Sequence, residues 1–395
     1  MFSAIRKWFA THEASLDAID RTEIIIGLCA RAQSNNESSR RLASEIDHFK
    51  DWEKLLSRAE FHGMSPLMYC HLKDSAAGIP AKVQRSLQAN YIKQQFVSKK
   101  QQESLAEIIH CFNQRRIPFM ILKGAALASL IYPEPGLRPM QDIDLLVGES
   151  DASRAQNLLL SIGFRELQTA RQVLQRGHHH LPLLTRRVEG VQINVEVHTD
   201  LFPKTRFYRS RRIEDLIEDS IPISVQGVRG LTLGLEDMIW HVYRHATGPP
   251  LLATPLRFIY ISDLVSLVET FLEKINWERL KRVYPQFYHV LPYLHYLTPL
   301  SESLLSTLRL DVSYIPKEIG QDYQGWPRQR LKGWQERETW DIVRQSLNPP
   351  DWWLHVYYGI NGKGQQYWCR FFRHPLHLLE WIGHYTKEKF INQYG

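Results

Sequence analysis

The sequence predicts an α+β protein: a small mixed β-sheet core flanked by N-terminal and C-terminal helical regions. Three observations point there. Residues 1–115 and the stretch from Leu235 onward carry helical periodicity with few strand signals. Residues 116–230 instead hold short apolar runs and one cleanly alternating segment, Val191–His198. Helix-like stretches interleave with those runs, which implies a mixed unit with one covered sheet.

In the N-terminal region, Val83, Leu87 and Tyr91 recur every fourth residue, and Leu105, Ile108, Ile109 and Phe112 continue the stripe. The intervening positions are rich in Gln and Lys, which favour helix. Ile117–Leu122 is then a short apolar run closed by Lys-Gly, the pattern of a buried strand. A helix over about Ala125–Ile131 follows, and Asp142–Val147 forms a second strand. Ser150–Ser161 reads as a helix, with Asp151 near its start and Gly163 just past its end. Phe164–Leu167 and Leu181–Thr185 read as further strands. From Leu235 the pattern is helical, punctuated by Gly248-Pro249-Pro250 and Pro349-Pro350.

A chain of 395 residues has room for two or three domains. The expected division is 1–115, an N-terminal helical region; 116–230, the core; and 231–395, a C-terminal helical domain with an aromatic-rich end. The net charge of +7, from 49 Lys and Arg against 42 Asp and Glu, has no long single-sign run. It gives little support to extensive nucleic-acid contact. Cys29, Cys70, Cys111 and Cys369 are dispersed with no CxxC pair, which argues against a zinc knuckle or a disulfide framework and for a reducing, cytoplasmic setting. Arg6 and Lys7 lack a following apolar run, against a signal peptide. Apolar stretches such as Glu23–Ala30 are too short to span a bilayer, so no transmembrane segment is expected.

The chemistry is concentrated in the middle. Side chains alternate across a strand, so Asp142 and Asp144 share a face while Ile143, Leu145 and Val147 take the other. Residues two apart lie about 6.6 Å apart along a strand, close enough for neighbouring carboxylates to converge on metal ions. By the same logic Asn194, Glu196 and His198 share a face, backed by Ile193, Val195 and Val197. If the two strands are neighbours, Asp142, Asp144 and Glu196 form an acidic triad. Three carboxylates there would repel one another, and a divalent cation with a preference for oxygen, Mg²⁺ or Mn²⁺, removes that penalty. Two such ions could clamp an in-line phosphoryl displacement.

Upstream, Lys123-Gly124-Ala125 opens a helix directly after a strand. Gly124 would let backbone approach a phosphate, and the helix start offers free N–H groups and the positive end of its dipole. Lys123 or Arg138 could neutralise triphosphate charge, Arg138 with the better bidentate geometry. Each has a plainer reading: Lys123 as a surface residue at a strand end, Arg138 as an ion-pair partner of Asp142 or Glu134. Asp-Ile-Asp alone most often marks a solvated edge strand; the Lys-Gly step and Glu196 turn the balance toward a metal site.

These motifs resemble the nucleotidyltransferase fold of the DNA polymerase β superfamily, and within it a bacterial family of uncharacterised nucleotidyltransferases. The matching segments are Lys123–Leu127, Arg138–Val147 and Glu196–His198, supported by Asp51–Tyr69, Leu235–His245, Asp263-Leu264 and Asn276-Trp277. The resemblance implies a nucleotidyltransferase core in 116–230 and an NTP substrate held with Mg²⁺ or Mn²⁺ at Asp142 and Asp144. Glu196 would complete the metal site or activate the acceptor. Lys123, Gly124, Ala125, Arg138 and His198 would contact the nucleotide. The superfamily's usual Gly-Ser or Gly-Gly start is Gly124-Ala125 here, which offers no serine hydroxyl. That departure keeps open a non-catalytic nucleotide- or phosphate-binding module. A nucleic-acid-modifying enzyme is a further, less favoured alternative, and the acceptor is not named by the sequence.

Other clusters carry two readings. His178-His179-His180 suggests metal, yet consecutive residues cannot all face one ion on a strand, so a loop or strand entry is preferred. Asp237, His241 and His245 fall on one helix stripe that could line the nucleotide cleft; a buried polar contact is the preferred reading there and for Asp263. Trp352, Trp353, Tyr357, Tyr358, Tyr367, Trp368, Phe371 and Phe372 interleave with Lys363, Arg370 and Arg373. They are expected to be core aromatics, with nucleic acid, a membrane surface or a protein partner as alternatives.

Overall fold

The computed structural model describes residues 21–73, 78–167, 179–203, 211–248, 250, 256–295, 297–312, 339–360 and 362–383. Within them the helices α1 (Arg21–Leu28), α2 (Asn36–Ile46), α3 (Trp52–His62) and α4 (Ser65–Leu72) lead into α5 (Ala81–Gln114), a helix of 34 residues. Local chemistry sets their ends. Asn35 caps α2, accepting from the Ser38 N–H at 2.7 Å, and Gly63 closes α3 in the left-handed region at φ 72°.

The strands β1 (Phe119–Ile121), β2 (Ile143–Val147), β3 (Arg165–Glu166), β4 (Leu184–Val188), β5 (Val191–His198), β6 (Ile221–Val225) and β7 (Val228–Thr232) form one mixed sheet. Its order is β3-β4-β5-β2-β1-β7-β6. Between strands lie α6 (Lys123–Leu130), α7 (Ala152–Ser161) and α8 (Ile213–Ile217). The plainer alternative for Asp-Ile-Asp, a solvated edge strand, does not apply. β2 is the central strand, antiparallel to β1 and parallel to β5, and every one of its residues is buried.

The alternation of β2 and β5 sorts the two faces. Ile143, Leu145 and Val147 pack with Ile193, Val195 and Val197 against Leu105, Ile108, Ile109 and Phe112 of α5 and Leu159 of α7. The opposite face, with Met120 and Leu146, joins a second core built from helices at both ends of the chain. The later helices are α9 (Leu235–Thr247), α10 (Phe258–Thr270), α11 (Trp277–Val283), α12 (Pro285–Leu294), α13 (Glu302–Leu308), α14 (Thr339–Leu347), α15 (Asp351–Tyr358) and α16 (Lys363–Trp368). Ile25, Leu55 and Leu67 share that core with Phe258, Phe287 and Trp353. The helices that precede and follow the sheet in sequence therefore make one body over its acidic face. Polar ties reinforce it: Arg257 Nε donates to the Phe61 carbonyl at 3.0 Å, and the Ala32 N–H to Ser266 Oγ at 2.8 Å.

Three local expectations need correction. The helix after β1 begins at Lys123, two residues before the expected start. The strand expected at Leu181–Thr185 runs over Leu184–Val188, because the Glu189-Gly190 turn, with φ 45° and 84°, fixes its register against β5. A hairpin, β6–β7, has no counterpart in the sequence reading. Its Gln226-Gly227 turn, φ 50° and 80°, is the same two-residue type, and that X-Gly pair between β-branched runs was the available signal.

The aromatic C-terminal run divides. Trp353, Tyr357 and Tyr358 are buried, as core aromatics should be, but Tyr367, Trp368, Phe371 and Phe372 are each more than half exposed. No helix of the described residues is long and apolar enough to cross a membrane.

One glycine tests the union of the two helical regions. A Cβ at Gly27 of α1 would lie 2.3 Å from the Leu297 carbonyl oxygen, a backbone atom with little room to yield. Gly27→Ala should destabilise by about 1–3 kcal/mol in urea titration. Gly364→Ala, where a Cβ meets nothing within 4 Å, should be neutral or stabilising by up to about 1 kcal/mol.

Candidate active site

Parallel pairing of β2 with β5 puts Asp144 directly opposite Glu196 and Leu146 opposite His198. Antiparallel pairing with β1 ends where the Leu122 N–H donates to the Asp144 carbonyl at 2.9 Å. The next residue, Lys123, takes φ 46°, a left-handed conformation unusual for a side chain of this kind. Such strain, of order 1–3 kcal/mol, persists where surroundings enforce it. Here the turn starts α6 and brings Lys123 Nζ to Asp144 Oδ1 at 2.9 Å.

Around Asp144 the charges are dense. His198 Nε2 donates to Asp144 Oδ1 at 2.7 Å and lies 3.4 Å from Glu196 Oε2. Ligand atoms of Asp144, Glu196 and His198 all fall within 4.8 Å of one another. Asp144 and His198 are buried and Glu196 half-buried. Burial alone would raise the Asp144 carboxyl, but the Lys123 charge and the His198 hydrogen bond hold it well below the usual range. Glu196 is likewise lowered, burial being overcome by His198 and His180. His198 is raised: burial opposes its charge, and the hydrogen bonds to Asp144 and Glu196 prevail. Burial, then the charges of Asp144 and Glu196, push Asp142 up to about 6.

Two carboxylate oxygens and an imidazole nitrogen converging on one point suit a divalent cation such as Mn²⁺ or Mg²⁺. The convergent set contains His198, expected as a nucleotide contact, beside Asp144 and Glu196. Asp142, expected as a metal ligand, lines the adjoining cavity. That cavity, of about 390 Å³, is walled by Lys93, Lys123, Gly124, Arg138, Asp142, Asp144 and Arg257, among others. Lys93, Arg257 and Tyr260 in its wall were not singled out in the sequence. They come from α5 and the start of α10, and only packing across the sheet face brings them in.

Arg138 is engaged elsewhere than the sequence alternatives proposed. Its Nη2 donates to Asp263 Oδ2 at 2.7 Å and its Nε to Asp263 Oδ1 at 3.2 Å. Tyr132 donates to the same carboxylate at 2.7 Å. Glu134 instead accepts from Tyr91 and Gln95, both at 2.6 Å. Burial works against the Arg138 charge and Asp263 restores it. This explains Gly124 physically: a Cβ there would lie 2.4 Å from Arg138 Nη1 and 3.2 Å from Met140 Cβ. The glycine admits a guanidinium across the helix start. Ala125, next in line, is buried.

Two remaining clusters resolve differently. His178 lies outside the described residues; His179 and His180 sit with ring centroids 5.4 and 5.5 Å from His198. The Asp237–His241–His245 stripe separates. Asp237 is a buried ion-pair partner of Arg211 and of Arg279, the latter at 3.3 Å, and also accepts from Tyr284. His245 faces the charged cavity, and burial with the Lys123 charge pushes it down to about 4.

The chain belongs to the uncharacterised nucleotidyltransferase family, whose model matches residues 48–305. No curated protein matches it. Among solved structures, a crystal structure of ANT(2'')-Ia in complex with adenylyl-2''-tobramycin is 16% identical, covering 48% of this chain and 99% of that one at a TM-score of 0.33. A nucleotidyltransferase-like antigen from Paracoccidioides brasiliensis is 13% identical, covering 53% and 98% at a TM-score of 0.31.

Two measurements probe this site. Asp142 carries a raised folded-state value, so its contribution is fully present below about pH 4 and is lost as pH rises through about 6. Asp142→Asn should therefore melt above wild type at pH 7–8 without divalent ions, with the gap closing as pH falls toward 4. Asp263→Ala should cost about 3–5 kcal/mol by stranding the buried Arg138, and Arg138→Met in the same chain should recover part of that loss in denaturant titration.

Proposed function

We propose that this protein is a metal-dependent nucleotidyltransferase that moves a nucleoside monophosphate from an NTP to a small-molecule or protein acceptor and releases pyrophosphate. The observation that carries the reading is the convergence of Asp144, Glu196 and His198 within 4.8 Å beside a cavity walled by lysine and arginine. Asp144, Glu196 and His198 would hold a Mg²⁺ or Mn²⁺ ion, with Asp142 at its cavity side. Such an ion supplies charge neutralisation to the triphosphate and the leaving oxygen.

The chain's own residues supply the rest. Lys123, placed at the end of β1 by its strained turn, donates to Asp144 at 2.9 Å and would meet the phosphates. Lys93 and Arg257 would receive the remaining phosphate charge. The acceptor oxygen forms a bond to the α-phosphorus, and the bond from that phosphorus to the leaving pyrophosphate breaks, its electron pair going with pyrophosphate. Glu196 completes the metal site or takes the acceptor's proton. Catalysis on this plan is positioning and charge stabilisation.

A second reading has its own support. Lys123 already donates to Asp144 where a cation would share that oxygen, an arrangement that suits nucleotide binding without transfer. The two readings part in one assay. With each α-labelled NTP, Mg²⁺ or Mn²⁺ and a cell extract, the enzyme places label on a small molecule, protein or RNA. Asp144→Asn and Glu196→Gln should lower transfer roughly 10²–10³-fold. Nucleotide binding with no transferred label in any fraction would favour the binding module.

A further inference from the structure

A second cavity, of about 320 Å³, lies on the other side of Lys123 and His245, which line both spaces. Its chemistry differs from the first. Trp240 and Tyr357 give it flat apolar walls, and Arg244 and Arg373 give it charge. Arg244 sits 4.0 Å from the Tyr357 ring centroid, and Arg373 4.9 Å from that of Tyr358, so both guanidinium groups are layered on aromatic faces. No carboxylate is among the described residues that line it.

His241 supplies the independent observation. Its side chain lines this cavity, is only 1% exposed, and its Nε2 has no hydrogen-bond partner among the described residues. A buried ring nitrogen in that condition costs free energy unless something meets it. Burial, followed by the Lys123 charge, keeps the ring neutral, so it can exchange one hydrogen bond with a hydroxyl.

We infer that this second cavity is the acceptor chamber, and that the acceptor is a hydroxyl-bearing organic anion. Its hydroxyl meets His241 near the Lys123 boundary, its anionic group meets Arg244 and Arg373, and its apolar face lies on Trp240 and Tyr357. Lys123 stands at the junction, between the charged cavity proposed for the nucleotide and this one. The assignment rests on the nucleotidyl-transfer reading for the direction of reaction, but not for the chemistry of binding. A cationic acceptor is disfavoured here by the charge of Lys123, Arg244 and Arg373 in the lining.

The test uses one sugar frame with different charges: glucose 1-phosphate, glucuronate and glucosamine, titrated calorimetrically into the full-length protein. At least one of the two anions should bind, the phosphate and carboxylate arms telling which group is preferred, and glucosamine should not. Arg373→Gln should weaken the bound anion at least 10-fold while ATP affinity stays within twofold. His241→Phe keeps the ring shape and removes the orphaned nitrogen. It should melt no lower than wild type yet bind the anion at least 10-fold more weakly, a combination that a merely structural histidine would not give. The chamber assignment is overturned if neither anion binds, if glucosamine binds better, or if Arg373→Gln weakens ATP and not the anion. Anion binding that follows these expectations with no label transferred from any NTP would retain the anion cavity and remove the transfer reading instead.

Discussion

Everything in this molecule is arranged around the parallel pairing of β2 with β5, which sets Asp144 across from Glu196 in the middle of a sheet. Two carboxylates brought so close, one fully buried, are unfavourable unless positive charge answers them. The chain answers with His198 from the same strand as Glu196 and with Lys123 from the turn after β1. Neither is incidental to its element. His198 shares its face with Glu196 because the strand period is two, and Lys123 reaches Asp144 because its backbone accepts a left-handed conformation. The polarity of the site is therefore a property of backbone pairing before it is one of side chains.

The helical body over that face does more than shield it. Arg138 and Asp263 join the loop before β2 to α10, and Tyr132 donates to the same carboxylate. Gly124 makes room for that link at the start of α6. One wall of the charged cavity comes from α5 and α10, and the aromatic cavity beyond Lys123 is walled by α9 and α15. The sheet presents the acidic group, while the helices shape what can approach it.

Much of this was legible in the chain. Alternation in Ile143–Val147 and Val191–His198 sorted both faces as found, since a strand that buries one side shows its period directly. The joining of Asp144 with Glu196 followed once those strands were neighbours. Less could be read where partners are remote in sequence. Arg138 and Asp263 are 125 residues apart, so Asp142 and Glu134 looked like nearer partners. Local spacing likewise said nothing of Lys93 or Arg257. The aromatic C-terminal run misled because composition is the same for a buried Trp353 and an exposed Trp368; only packing separates them. The β6–β7 hairpin was missed although its Gln226-Gly227 turn was in plain view.

The shared core of the first and last helices has a consequence for how the chain comes to exist. Arg31 pairs with Glu269, 238 residues on, and the Phe61 carbonyl waits for Arg257, 196 residues on. During synthesis from the N-terminus, α1 to α4 emerge long before the residues that cover them. Contacts of such sequence separation form slowly, because a long loop must close before it is rewarded. Until Phe258, Phe287 and Trp353 are made, Ile25, Leu55 and Leu67 lack the partners they meet in the finished core, so α1 to α4 must wait for the later helices to complete it.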